Sequence, residues 1–134
     1  MIELLKAIQT TFNGASLAGS FANGLEVSVA KDAEALPLCI LTIMPPPEPS
    51  YQSGLAPYIE RVTAQFSVYS TDDALVLGME KSLDDAFNRS TISLTNDRCL
   101  QCMRSGGGNP YRDGDDARVW RADYFYKFWV QRNT

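Results

Sequence analysis

The chain opens on a helical repeat of apolar positions. Leu4, Leu5, Ile8 and Phe12 fall on one stripe of a helix over Ile2 to Phe12, with Glu3, Lys6 and Gln9 off it. Asn13-Gly14 stops that helix, because both residues tolerate the left-handed conformation of a C-terminal cap. The period then drops to about 2. Leu25 to Ala30 alternates, with Leu25, Val27 and Val29 on one face and Glu26 and Ser28 on the other, the pattern of a half-buried strand. After a polar connection, Lys31 to Ala35, the run Leu38 to Met44 is apolar on both faces and predicts a central strand covered on both sides.

Pro45-Pro46-Pro47-Glu48-Pro49 is expected to end that strand, since proline cannot donate to a ladder. A stiff, extended loop to Pro57 follows, carrying Tyr51 and Tyr58 at its edges. Ile59 to Ser70 alternates again. Val62, Ala64, Phe66 and Val68 point one way, and Arg61, Thr63, Gln65, Ser67 and Tyr69 the other. Ser70 or Thr71 can cap a helix whose positive end suits Asp72 and Asp73. It runs to about Asn88, burying Leu75, Met79, Leu83, Ala86 and Phe87, with Glu80, Lys81, Asp84 and Asp85 in water.

Arg98 to Ser105 predicts a strand of mixed polarity, broken by Gly106-Gly107-Gly108-Asn109-Pro110 and a loop to Asp116. Ala117 to Arg132 is the clearest strand of all. Trp120, Ala122, Tyr124, Tyr126, Phe128 and Val130 share one face; Arg121, Asp123, Phe125, Lys127, Trp129 and Gln131 share the other. The pattern predicts one α+β domain over residues 1–134. Its sheet is mainly antiparallel, of about five strands, with two helices packed on one face. Steps from strand to strand without a helix are read as hairpins or a meander.

Composition narrows function mostly by exclusion. With 134 residues, 45% hydrophobic and 21% charged, the chain supports one ordinary core with a folded surface of roughly 7,000 Å². No apolar run approaches the roughly 20 residues of a membrane helix, and the first residues do not read as a secretory signal. Histidine is absent, which removes Ser-His-Asp and Cys-His catalysis and every His-containing metal site. The net charge of −4 is uneven: residues 1–96 carry 5 Lys+Arg and 11 Asp+Glu, a balance of −6, and residues 97–134 carry 7 and 5, a balance of +2. An acidic balance argues against tight nucleic-acid binding. The asymmetry suits head-to-tail packing of copies, acidic patch on basic patch.

Candidate chemistry is sparse. Three cysteines without regular spacing, Cys39, Cys99 and Cys102, suit a reducing compartment. Cys99-Leu100-Gln101-Cys102 forms a CxxC, but in a strand, where positions three apart point to opposite faces; inert, partly buried thiols are expected. Asp113-Gly114-Asp115-Asp116 lacks the closing acid of a calcium loop, because the twelfth position is Tyr124, and reads as a solvated turn. Asp84-Asp85 reads as a solvated helix face and Asp72-Asp73 as a cap, neither being a catalytic pair. Gly106-Gly107-Gly108 lacks the Gly-Lys-Ser/Thr of a phosphate loop. No catalytic, cofactor-binding or metal residue is assigned. Phe125 and Trp129, on the polar face of the last strand, either meet a partner subunit or lie under a second layer such as the first helix.

Taken together, the N-terminal helix Met1-Ile2-Glu3-Leu4-Leu5-Lys6-Ala7-Ile8, the proline loop, the strand Arg61 to Ser70, the helix Asp72 to Phe87 and the closing strand Val119 to Val130 resemble the tail terminator, or tail completion, family of long-tailed bacteriophages. The likeness runs nearly the whole chain and is topological rather than catalytic. It implies a non-enzymatic virion protein without cofactor or membrane association. Such a protein forms a ring, typically a homohexamer, on the tail tube protein, ends tail polymerisation and joins the head-tail connector protein. Genomic DNA passes through its lumen without specific binding. Under this reading the loops Pro45 to Pro57 and Gly106 to Asp116 are contact surfaces, with Tyr51, Tyr58, Tyr111 and Arg112 as anchors.

Other readings stay open on the sequence. One is another connector or neck component. A second is a small-ligand module with an apolar pocket under Phe66 and Tyr124. An enzyme needs a carboxylate with a raised pKa; Asp123, between Ala122 and Tyr124, is the nearest case, yet it shares a face with Arg121 and Lys127.

Overall fold

The computed structural model describes residues 2–15, 21, 24–27, 36–51, 58–114 and 118–132, with 2, 45–51 and 58 described as backbone. The sequence readings of Val29, of the connection 31–35, of the loop 52–57 and of Asp115 and Asp116 lie outside them. Along the chain come α1 (Ile2–Gly14), β1 (Leu25–Val27), β2 (Leu38–Tyr51), β3 (Tyr58–Ser70), α2 (Asp73–Phe87), β4 (Arg98–Gly107), β5 (Tyr111–Arg112) and β6 (Trp120–Arg132). The order across the six-stranded sheet is β1-β2-β3-β6-β4, with β5 also on β6. Every pairing is antiparallel except β1 with β2, which is parallel. The α+β expectation holds. The meander expectation fails at β1, and the sixth strand is the two-residue β5.

Both helices lie on one face of the sheet. Leu4, Ile8 and Phe12 of α1 and Val76, Met79, Leu83 and Phe87 of α2 join one core with Val62, Ala64, Phe66 and Val68 of β3 and the even-numbered residues Ala122 to Val130 of β6. The helical spacing of α2 thus selects Val76, which the sequence reading passed over, while Leu75 and Ala86 are only partly buried against the core. Aromatic rings fill the centre: Phe66 has Phe87 at 5.1 Å, Tyr126 at 5.7 Å and Phe12 at 6.3 Å between centroids. The apolar-on-both-faces run in β2 divides between two clusters. Cys39 and Leu41 enter the main core, and Leu38 and Ile40 form a small cluster on the other face with Tyr69 and Val119. The accessible surface is 7232 Å².

The prolines do not end β2. Met44 still pairs with Thr63, Glu48 resumes pairing with Arg61, and Pro49 pairs with Glu60, with irregularities between Met44 and Glu48 and between Pro49 and Tyr51. The physical reason is position: among the described residues β1 pairs with Cys39 to Leu41 and no strand pairs with β2 on that side from Thr42 onward, and along such an edge a missing N–H and a bulge cost little. Tyr51 and Tyr58 accordingly belong to strand ends, pairing with Ile59 and Arg132.

Helix ends also differ in detail from expectation. Asp72, not Ser70 or Thr71, caps α2, its Oδ1 accepting from Ala74 N at 3.0 Å, while Ser70 Oγ accepts from Asp72 N at 3.0 Å. Asp84 faces water only in part, its side chain being 30% exposed. Its carboxylate accepts from the buried phenol of Tyr126 and is 3.3 Å from Arg104 Nη1, and Arg104 also reaches Glu80 at 2.6 Å. Near the end of β6, Arg132 is buried between Glu60 (3.1 Å) and Asp97 (2.6 Å).

Candidate functional site

With both helices on the inner face, the outer face of the sheet carries no helix among the described residues. Phe125 and Trp129 therefore do not lie under α1. Both are half-buried. The register sets that face out in rows across the strands. Met44 pairs with Thr63, Thr63 with Lys127, and Lys127 with Met103. One step along, Arg61 pairs with Trp129 and Trp129 with Gln101; in the other direction Gln65 pairs with Phe125 and Phe125 with Gly106. Phe125, Lys127 and Trp129 thus form an aromatic-cation-aromatic stripe along β6 on the outer face of the sheet.

The same face holds a polar cluster centred on Asp123. Its Oδ1 accepts from Ser67 Oγ at 2.7 Å, Arg121 Nε at 3.1 Å and Gln65 Nε2 at 3.2 Å, and its Oδ2 accepts from the Tyr111 hydroxyl at 2.8 Å. Arg121 lies over the rings of Tyr69 (5.1 Å) and Tyr111 (5.8 Å). Burial pushes the Asp123 carboxyl up, but the hydrogen bonds from Ser67, Tyr111 and Arg121 outweigh it and hold the pKa below its ordinary value. Burial and the facing Asp123 carboxylate push the Tyr111 phenol up to about 12. Asp123 is therefore a firmly ionised anchor, the opposite of the raised carboxyl that general-acid chemistry requires. The sequence shows each partner on the outer face; their convergence depends on the β3–β6 register and on β5, which local pattern does not reveal.

The four predicted loop anchors are dispersed. Tyr111 pairs with Arg121 through β5, and its ring remains 44% exposed. Arg112, exposed beside it, covers the ring of Trp120 at 4.2 Å. Tyr51 and Tyr58 lie at the strand ends beside Ile59 and Arg132, away from β5 in the register. Glycines permit the approach to β5. Gly107 (φ +87°) and Gly108 (φ +107°) take left-handed conformations, and Gly108 N donates to Asp123 O at 2.8 Å. A shallow depression of about 250 Å³ is lined there by Gly107, Gly108, Asn109, Tyr111, Asp123 and Phe125. Asp113 is buried rather than solvated, and its N–H donates to Val119 O at 2.8 Å.

Two further sequence readings change. An irregularity between Cys99 and Gln101 leaves Leu100 without a direct partner on β6, so Cys99 and Cys102 both enter the core instead of opposite faces. Burial raises the thiol pKa of Cys39, Cys99 and Cys102 alike. The position under Phe66 and Tyr124, expected for a ligand pocket, is filled by Phe12, Phe87, Tyr126 and Val76, whose carbonyl accepts from the Tyr124 hydroxyl at 2.7 Å. Among the described residues no cluster of metal-ligating side chains occurs, and no helix is long and apolar enough to cross a membrane.

No family model and no curated protein matches the chain. Among solved structures it is similar to a chain of the "Virion of native gene transfer agent (GTA) particle". The TM-score is 0.76 and the identity 15%, over 96% of this chain and 95% of the other. The two chains share one fold over nearly their whole lengths.

Proposed function

We propose that this chain is a structural virion protein of a phage-like particle, without enzymatic activity. In this reading it forms a ring, of hexamer type, that caps the tail tube, ends tail polymerisation and presents the surface joining tail to head. One observation carries the reading: the fold is shared from end to end with a virion chain. The resemblance of the element pattern to tail terminators supplies the specific role. A filled core where a ligand module would need a pocket, and an ionised Asp123 bound by four side chains, support assembly over chemistry. The net charge of −4 suits a lumen through which DNA slides without sticking.

The test is the molar mass of the purified protein by light scattering over a concentration series, with negative-stain images, alone and with tail tube protein added. Rings of about six copies of the 14.8 kDa chain, seated on tube ends, are the expected result. A monomer at every concentration, with and without the tube, overturns the reading.

A further inference from the structure

We propose that copies of this chain associate head to tail, with the solvent side of α2 in one copy seated on the outer face of the sheet in the next. This assignment rests on the ring reading above and names the two surfaces that make it. Among the described residues the large apolar side chains left exposed are Met44 (39%), Leu77 (50%) and Tyr111. Met44 lies on the outer face of the sheet, in the row with Thr63, Lys127 and Met103. Leu77 lies on α2, in the layer on the other side of the same sheet. The two patches face away from each other in one molecule, so neither can cover the other within a copy. A contact between two different patches is heterologous, the kind that generates rings when its rotation closes.

Charge selects the same pairing. Around Leu77, Glu80, Lys81, Asp84 and Asp85 line a shallow depression, and Asp73 stands one turn before it. Lys81 pairs with Asp85, and Arg104 with Glu80 and Asp84, leaving acid in excess along the helix. Around the aromatic stripe of the sheet the described charged side chains are the cations Arg61, Lys127 and Arg98 and, beyond Phe125, the ion pair of Arg121 with Asp123, so that positive charge is in excess. Glu48 pairs opposite Arg61 in the register, whereas Lys127 and Arg98 have no ion-pair partner among the described residues. Lys127 stands between Phe125 and Trp129. Such a platform offers apolar contact for Leu77 and cations for the carboxylates beside it. The occupant is a second copy because one chain supplies both halves. The helix belongs to the acidic stretch 1–96, and β4 and β6 to the basic stretch 97–134.

The decisive experiment uses two charge-reversed variants of the full chain. One carries Arg98→Glu and Lys127→Glu on the sheet, the other Asp73→Lys and Asp85→Lys on α2. Each is first checked by thermal melting for a retained fold. Alone, each places like charge against like charge, and its assembly midpoint is expected to rise by about a hundredfold in concentration. Mixed in equal amounts they restore both contacts in an alternating ring, and assembly returns to within about threefold of the wild type. If the wild type forms rings and both variants form them as readily, the ring stands and this pair of faces is wrong. If the sheet variant fails, the helix variant does not and mixing restores nothing, the sheet face meets its own copy and the head-to-tail arrangement is overturned. A wild type that stays monomeric throughout removes the ring and, with it, this assignment.

Discussion

Tyr111 donates its hydroxyl to Asp123 Oδ2 at 2.8 Å, tying the short strand β5 to the outer face of β6. The bond joins one exposed aromatic anchor to the cluster that includes Gln65 and Ser67 of β3. Its pH dependence follows from both partners. Asp123 has a folded pKa below its ordinary value, so its stabilisation is present above the ordinary carboxylate range and fades as pH falls through the folded value. Tyr111 has a folded pKa raised to about 12, so its contribution is complete below about 10 and is lost as pH rises from there to about 12. Asp123→Asn should cost about 1–3 kcal/mol between pH 5 and 9. The difference from wild type should shrink below about pH 4. Urea midpoints of the two proteins across pH check this; an unchanged difference at pH 3 would count against an ionised anchor.

Gly107 and Gly78 make a contrasting pair. Gly107 has φ +87°, and a Cβ there would stand 2.0 Å from the Asp123 carbonyl oxygen. Gly107→Ala should therefore cost at least about 3 kcal/mol and detach β5. Gly78, inside α2, has nothing within 4 Å of a built Cβ. Gly78→Ala should stabilise by about 0.5–1 kcal/mol through helix propensity. Chemical denaturation of both variants tests the sign as well as the size.

Asp84 and Tyr126 predict an asymmetry. Tyr126 is fully buried, and its hydroxyl donates to Asp84. Tyr126→Phe removes the donor and leaves Asp84 with Arg104, for a cost of about 1 kcal/mol. Asp84→Ala leaves a buried hydroxyl without its acceptor and should cost more, about 2–3 kcal/mol. A reversed order in urea midpoints would mean that a water accepts from the phenol.

The sequence carried the parts of this fold that local periodicity controls. Leu4, Ile8 and Phe12, and the alternation Ala122 to Val130, face inward as their spacing requires. It misplaced features that depend on who lies next to whom. Proline is a terminator in an inner strand, yet β2 passes through Pro45 to Pro49, where among the described residues no strand pairs with its other side. The parallel entry of β1 is likewise a matter of chain routing. Asp84 reads as solvent-facing on a helical wheel, but Tyr126 reaches it from a strand that follows it by some forty residues in the chain. Of the predicted anchors, Phe125 and Trp129 share one strip of the outer face through the period of β6 alone, whereas the link from Tyr111 to Asp123 required the register of three strands.

Leu100 gives the last prediction, because its irregular pairing turns a nominally two-faced CxxC into two inward thiols. Cys39 and Cys102 are fully buried, and Cys99 nearly so. Burial raises all three thiol pKa values; for Cys102 the neighbouring Cys99 adds to it, while backbone hydrogen bonds at Ile92 and Gln101 partly offset it for Cys99. A thiolate is the reactive form, so both access and ionisation oppose modification. In the native protein at pH 8, a thiol reagent should leave Cys39 and Cys102 unmodified over hours, with slow reaction at Cys99. In denaturing urea all three should react within minutes. Mass spectrometry of the labelled protein reads the sites directly. Rapid native labelling of Cys99 and Cys102 together would show that β4 opens there, and would replace a packed pair of thiols with an accessible dithiol.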